Sequence, residues 1–173
     1  NIKGFHKDDA PAVAFFDTPG DKDLVLAIMP AAITAARDVT FAASQDESRP
    51  TLTCVRCVID QGRLDFQATD GYRLSWKTLT NAADAERQEL LIPHANLETL
   101  ARIVAEIDAD DDMQLILAHT GAMFTVLAQA GGKQADLFGL IGIHFASALM
   151  DARYPDVAGV IPRERPITAT VDV

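Results

Sequence analysis

Asp23–Met29, one acidic residue followed by six apolar ones, reads as a short strand. Pro30 follows, a residue that a helix accepts in its first turn. From Ala31 to Ala43 the period changes. Ala32, Ala35, Ala36, Val39 and Ala43 fall on one face, which predicts a helix. Ser44–Pro50 is polar and reads as a loop. Three strands are predicted next: Thr51–Asp60, ended by Gln61-Gly62, then Arg63–Thr69, then Tyr72–Leu79. The last two are joined through Asp70-Gly71, a strong tight-turn signal.

The same order then recurs. Gln88–Ile92 reads as a strand, Pro93 marks a helix start, and His94–Ile107 carries Leu97, Leu100, Ala101 and Val104 on one face. Asp108–Asp112 is an acidic turn, and Met113–Ala118 and Ala122–Ala128 are strands around His119-Thr120-Gly121. Gly131–Gly142 fits no single period, Phe145–Met150 is apolar, and Asp151–Pro162 is irregular. A strand–helix–three-strand unit thus occurs twice with almost no shared residues. The repeat is architectural, and it predicts an α+β domain with an antiparallel sheet layer backed by two helices.

Of the 173 residues, 49% are hydrophobic and 23% charged, the balance of a globular domain with its own core. The net charge of −10 argues against a surface that grips phosphate everywhere, though not against a local basic stripe. Cys54 and Cys57 stand three apart in a predicted strand, so their side chains face opposite ways and neither bond to each other nor share a metal. His6, His94, His119 and His144 lack zinc spacings, and Asp108–Asp112 lacks the closing glutamate of a calcium loop. No nucleophile elbow, phosphate loop or dinucleotide fingerprint is present. No catalytic residue, metal or cofactor is assigned, and the chain is read as a non-enzyme.

Three segments carry a resemblance. Ala68-Thr69-Asp70-Gly71-Tyr72-Arg73-Leu74 is similar to a hairpin of the bacterial DNA polymerase III beta subunit family, the sliding clamps. Phe41–Ser44 with Glu47–Thr53 resembles that family's helix end, loop and following strand in the middle domain. Leu149–Asp156 with Val160-Ile161-Pro162 resembles the segment leading toward the next domain. The opening Asn1–Gly4 is similar to the link out of the first domain. The chain departs from the family at 131–144, which is longer and more apolar, and at Gly159, where the family often has arginine.

The resemblance implies a DNA clamp fold: a linker over 1–22, a middle domain over 23–166, and the start of the next domain's first strand over 167–173. It implies a segment of a ring that encircles duplex DNA and confers processivity on the replicative polymerase. Carried over position by position, Leu52, Thr69, Gly71, Tyr72, Arg73, Leu74, Pro155 and Val160 would line a peptide-docking pocket. Its partners would be the polymerase III catalytic subunit, the clamp loader and repair proteins. Arg37, Arg49 and Arg102 would lie nearest DNA, although Glu98 and Arg102 also have the spacing of a solvated ion pair. The chain is expected to be a monomeric, cytoplasmic-type fragment of a homodimeric ring. A clamp-like accessory binding module without a replicative role is the alternative.

Overall fold

The computed structural model describes residues 24–28, 30–80, 86–106, 114–120, 123–129 and 143–161. The elements follow the predicted order: β1 (Leu24–Ile28), α1 (Pro30–Val39), β2 (Cys54–Asp60), β3 (Arg63–Thr69), β4 (Leu74–Thr80), β5 (Gln88–Pro93), α2 (His94–Glu106), β6 (Gln114–Thr120), β7 (Met123–Gln129) and β8 (Ile143–Ala148). The linker read over 1–22, the acidic turn at 108–112, the 131–142 stretch and the strand start at 167–173 lie outside the described residues.

The antiparallel pairing and the two helices are as predicted, but the strands divide into two four-stranded sheets. One has the order β1-β6-β7-β8 and the other β4-β3-β2-β5. The two strand–helix–three-strand units have therefore exchanged their first strands. β1 pairs with β6 of the second unit, Leu24 opposite His119, and β5 pairs with β2 of the first, Cys54 opposite Pro93. Each unit completes the other's sheet.

Several boundaries differ from the sequence reading by a residue or more, among them His119 and Thr120, which belong to β6 and not to a turn. Three of the differences have a clear local reason. The first helix ends at Val39, and Thr40–Ala42 tighten into a 3₁₀ turn. There the Thr40 hydroxyl donates to the Arg37 carbonyl at 2.9 Å. Residues 51–53 are not strand. Pro50, with fixed φ and no N–H, opens a 3₁₀ turn over Pro50–Thr53, and the Thr53 hydroxyl donates to the Pro50 carbonyl at 2.8 Å. The third strand begins at Leu74 because the N–H groups of Tyr72 and Arg73 are taken by the Asp70 carboxylate.

One face of the β4-β3-β2-β5 sheet packs on the helices. Val55, Cys57, Ile59, Leu64, Phe66, Leu90 and Ile92 form a single core with Ala32, Ala36, Val39, Leu97, Leu100 and Val104, and Phe145 and Leu149 pack against it. Alanines at the contact let α1 lie close to its neighbours; Ala36 is wholly buried. Asn96 of α2 donates to the Ser147 hydroxyl of β8 at 2.7 Å, tying the helices to the second sheet as well.

The opposite face of the β4-β3-β2-β5 sheet carries polar side chains beside a smaller apolar cluster. The Asp65 carboxylate accepts from Arg63, from Trp76 Nε1 at 3.1 Å and from the Thr78 hydroxyl. Burial pushes the Asp65 carboxyl upward, but these three donors together hold it below its ordinary range. Cys57 belongs to the helix-side core and Cys54 to a smaller cluster across the sheet, as alternation requires. Both are free thiols, and burial pushes Cys57 up to about 12.

Truncating Leu97 (Leu97→Ala) should cost about 2–5 kcal/mol through the cavity left in the shared core. Glu98→Ala, on the exposed face of the same helix, should change stability by less than about 0.5 kcal/mol. Urea unfolding of the two variants checks the assignment of faces.

Candidate functional site: a hairpin tip joined to the returning chain

Thr69 pairs with Leu74 at the end of the β3–β4 ladder, so Asp70–Arg73 form the loop between them. The loop is held from within. Asp70 Oδ1 accepts the backbone N–H groups of Tyr72 at 2.9 Å and Arg73 at 3.0 Å, and Oδ2 accepts Arg73 Nε at 2.9 Å. These bonds, the Arg73 backbone N–H foremost, hold the Asp70 carboxyl below its usual range. The Thr69 hydroxyl donates to the Arg73 carbonyl at 2.7 Å and accepts the Gly71 N–H at 3.1 Å. Gly71 has φ of 96°, a left-handed conformation that costs a side chain dearly. A Cβ there would stand 3.6 Å from Arg49 Nη1, an ordinary contact, so φ and not space selects glycine.

The hairpin is fastened to the segment after β8. The Thr69 N–H donates to the Tyr154 hydroxyl at 3.1 Å, across 85 positions of sequence. Tyr154 is buried, and that burial pushes its hydroxyl up to about 12, so it stays neutral and free to accept. Around its ring lie Cys54, Leu91 and Val157, with half-buried Leu74 and Met150 packed on them. The Met150 N–H donates to the Leu91 carbonyl at 2.9 Å, so the returning chain is pinned at two points along the sheet.

A second loop closes on the same tip. The Ser44 N–H donates to the Leu52 carbonyl at 2.8 Å, and His94 Nδ1 lies 2.8 Å from the Thr53 carbonyl. Arg49 Nη1 reaches the Asp70 carbonyl at 3.4 Å and its Nε reaches Asp46 at 3.4 Å.

Among the residues expected to line a pocket, Thr69, Gly71, Tyr72, Arg73 and Leu74 are therefore contiguous. Tyr72 is 95% exposed. Leu52 is half-buried in its 3₁₀ turn and is not among the side chains packed on the Tyr154 cluster. Pro155 is exposed and lines a cleft of about 240 Å³ with Arg56, Glu89, Arg153, Tyr154 and Asp156. Val160 closes the short 3₁₀ turn Ala158–Val160, and its side chain lies outside the described residues. In the sequence Cys54 is legible as a packed strand side chain, Leu91 only as part of a strand, and Met150 and Tyr154 as part of the Leu149–Asp156 segment. None of them is legible as a site residue, and nothing local points to Thr69 as the partner of Tyr154.

The residues expected near DNA stand on three different segments, Arg49 in the loop just before the Pro50–Thr53 turn. Arg37 is exposed on α1, 3.8 Å from Asp38, which also takes Lys77 from β4. Arg102 is exposed on α2, and no ion pair to Glu98 closes among the described residues. No group of three or more His, Cys, Asp or Glu side chains among the described residues is placed to hold a metal. No helix among them is long and apolar enough to cross a membrane.

A family model described as DNA polymerase III beta subunit, central domain, matches residues 30–156, most of the chain and all of the hairpin site. This chain belongs to the DNA polymerase III beta subunit family. The beta sliding clamp of Micrococcus luteus is 32% identical over 142 residues, covering 80% of this chain and 40% of that protein. That of Staphylococcus aureus strain N315 is 29% identical over 132 residues, covering 76% of this chain and 31% of the relative. Among solved structures, the sliding clamp of Bacillus subtilis superimposes with a TM-score of 0.71 at 24% identity, over 91% of this chain and 37% of that one. The Pseudomonas aeruginosa clamp bound to griselimycin gives 0.70 at 24% identity, over 91% of this chain and 38% of its own. At that identity the likeness is one of fold. The chain spans well under half the length of these clamp relatives.

Two outcomes are expected for this clamp-family hairpin. Tyr154→Phe leaves the Thr69 N–H without its acceptor in a buried position and should lower stability by about 1–3 kcal/mol, read by thermal or urea unfolding. The depressed Asp70 carboxyl stabilises the loop above its ordinary pKa of 3.8, and that contribution is lost as pH falls through its lower folded value. An NMR pH titration should therefore show the Tyr72 and Arg73 amides moving together below pH 3.8. Amides that stay fixed while the rest of the fold persists would contradict the loop geometry.

Proposed function

We propose that this chain is the middle segment of a ring-shaped sliding clamp that encircles duplex DNA and gives the replicative polymerase its processivity. Its hairpin tip and the segment at 149–157 form one wall of a docking groove for short peptides of the polymerase III catalytic subunit, the clamp loader and repair proteins. The observation that carries this reading is the joined surface itself. Half-buried Leu74 and Met150 sit on a buried apolar cluster, beside a rigid loop with exposed Tyr72 and Arg73. An apolar seat with a preorganised polar rim is what an anchoring peptide needs. Leu52, Pro155 and Val160 extend the wall in this reading. The chain works by tethering and not by catalysis, with no cofactor. It is a monomer whose parent closes as a homodimeric ring in the cytoplasm.

The helices add little electrostatic grip. Arg37 and Arg102 are offset by Asp38, Glu98 and Glu106 on the same elements. A ring retains DNA by topology, so weak, non-specific contacts suffice and favour sliding. The same balance of charge would suit a clamp-like accessory module outside replication. A parent chain whose other domains carry lysines and arginines on their helices separates the two.

Titrating the 173-residue chain with a peptide carrying a clamp-binding motif should move NMR signals around Leu74, Tyr72 and Val160, with weak affinity. Shifts confined to the exposed face of α2 would overturn the assignment. By fluorescence anisotropy, the same chain should show no micromolar binding to duplex DNA at physiological salt. Micromolar binding would contradict the view that topology does the holding.

A further inference from the structure

Phe41 is 62% exposed, although the residues on either side of it, Thr40 and Ala42, are buried. It stands in the 3₁₀ turn after α1, outside the hairpin. Its ring is not bare. The Arg73 guanidinium lies over it, with Cζ 5.8 Å from the ring centroid. Arg73 also gives its Nε to Asp70 Oδ2, and Asp70 is itself fixed by two backbone N–H groups of the loop. A long, half-exposed arginine is thus gripped on one edge by a carboxylate and on one face by an aromatic ring. Its two Nη groups make no hydrogen bond among the described contacts.

We propose that Phe41 is a positioning residue of the docking site, fixing Arg73 so that its free Nη edge meets a carbonyl or carboxylate of the docked peptide. This rests on the docking reading above. Each element has a physical reason. An unconstrained arginine loses rotamer freedom when it engages a ligand, and one already stacked and bridged loses less. A planar guanidinium with one edge spent presents the other as a paired donor. The ring ties the end of α1 to the hairpin tip, so the site extends beyond the segments that form its wall.

The test uses the 173-residue chain, its Phe41→Leu and Phe41→Tyr variants, and a fluorescent peptide carrying a clamp-binding motif. Phe41→Leu keeps an apolar side chain but removes the ring, and should weaken binding about two- to fivefold, the size of an exposed cation–π contact. Phe41→Tyr should restore it. Without peptide, the Arg73 Nε–H signal should carry a ring-current shift that disappears in Phe41→Leu and returns in Phe41→Tyr, a readout that a general loss of stability does not reproduce. Equal binding by the unaltered chain and Phe41→Leu, or an Arg73 signal indifferent to the ring, overturns this inference alone. No peptide binding by the unaltered chain overturns the docking reading on which it stands.

Discussion

One hydrogen bond decides whether the hairpin tip is a surface or a loose loop. The Thr69 N–H, at the end of the β3–β4 ladder, donates to the Tyr154 hydroxyl, 85 positions along the chain. An amide buried without an acceptor is costly, so the bond holds two distant segments in one arrangement. Tyrosine suits the place because its ring fills the cluster of Cys54, Leu91 and Val157 while its hydroxyl reaches past it. Everything assigned to docking, from the seat at Leu74 to the posture of Arg73, is built outward from that junction.

The exchange of first strands explains how such a junction forms. β5, contributed by the second unit, completes the first unit's sheet, and its Leu91 both enters the Tyr154 cluster and accepts the Met150 N–H. The chain leaving β8 is thus led back across the first unit's sheet by the second unit's own strand. Because the two helices share one core with that sheet and touch β8 through Asn96, neither unit has a complete interior alone. The site inherits its rigidity from this mutual completion.

Much of this was legible in the chain, and the remainder was hidden for definite reasons. Helix faces such as Leu97, Leu100 and Val104 follow from a local period, and the turn at Asp70-Gly71 from the conformational freedom of glycine. The opposite burial of Cys54 and Cys57 follows from strand alternation alone. Which strand pairs with which does not. Each unit's pattern is satisfied equally by its own sheet or its neighbour's, so a single layer was as consistent with the spacing as two exchanged sheets. Residues 51–53 alternate like a strand, yet Pro50 bends them into a 3₁₀ turn. The docking residues were named through family likeness. The Tyr154–Thr69 bond, the Met150–Leu91 bond and the Phe41–Arg73 stack join positions too far apart for any periodicity to connect.

The central claim is that the hairpin and the returning segment form one body and not two neighbours in passing contact. Native-state hydrogen exchange at the Thr69 amide addresses it most directly, because that proton is donated to Tyr154. The account predicts that it exchanges as slowly as the core amides of β3 and opens only with them. Exchange as rapid as that of the exposed tip residues would show the junction to be absent, and with it the surface proposed to receive a partner.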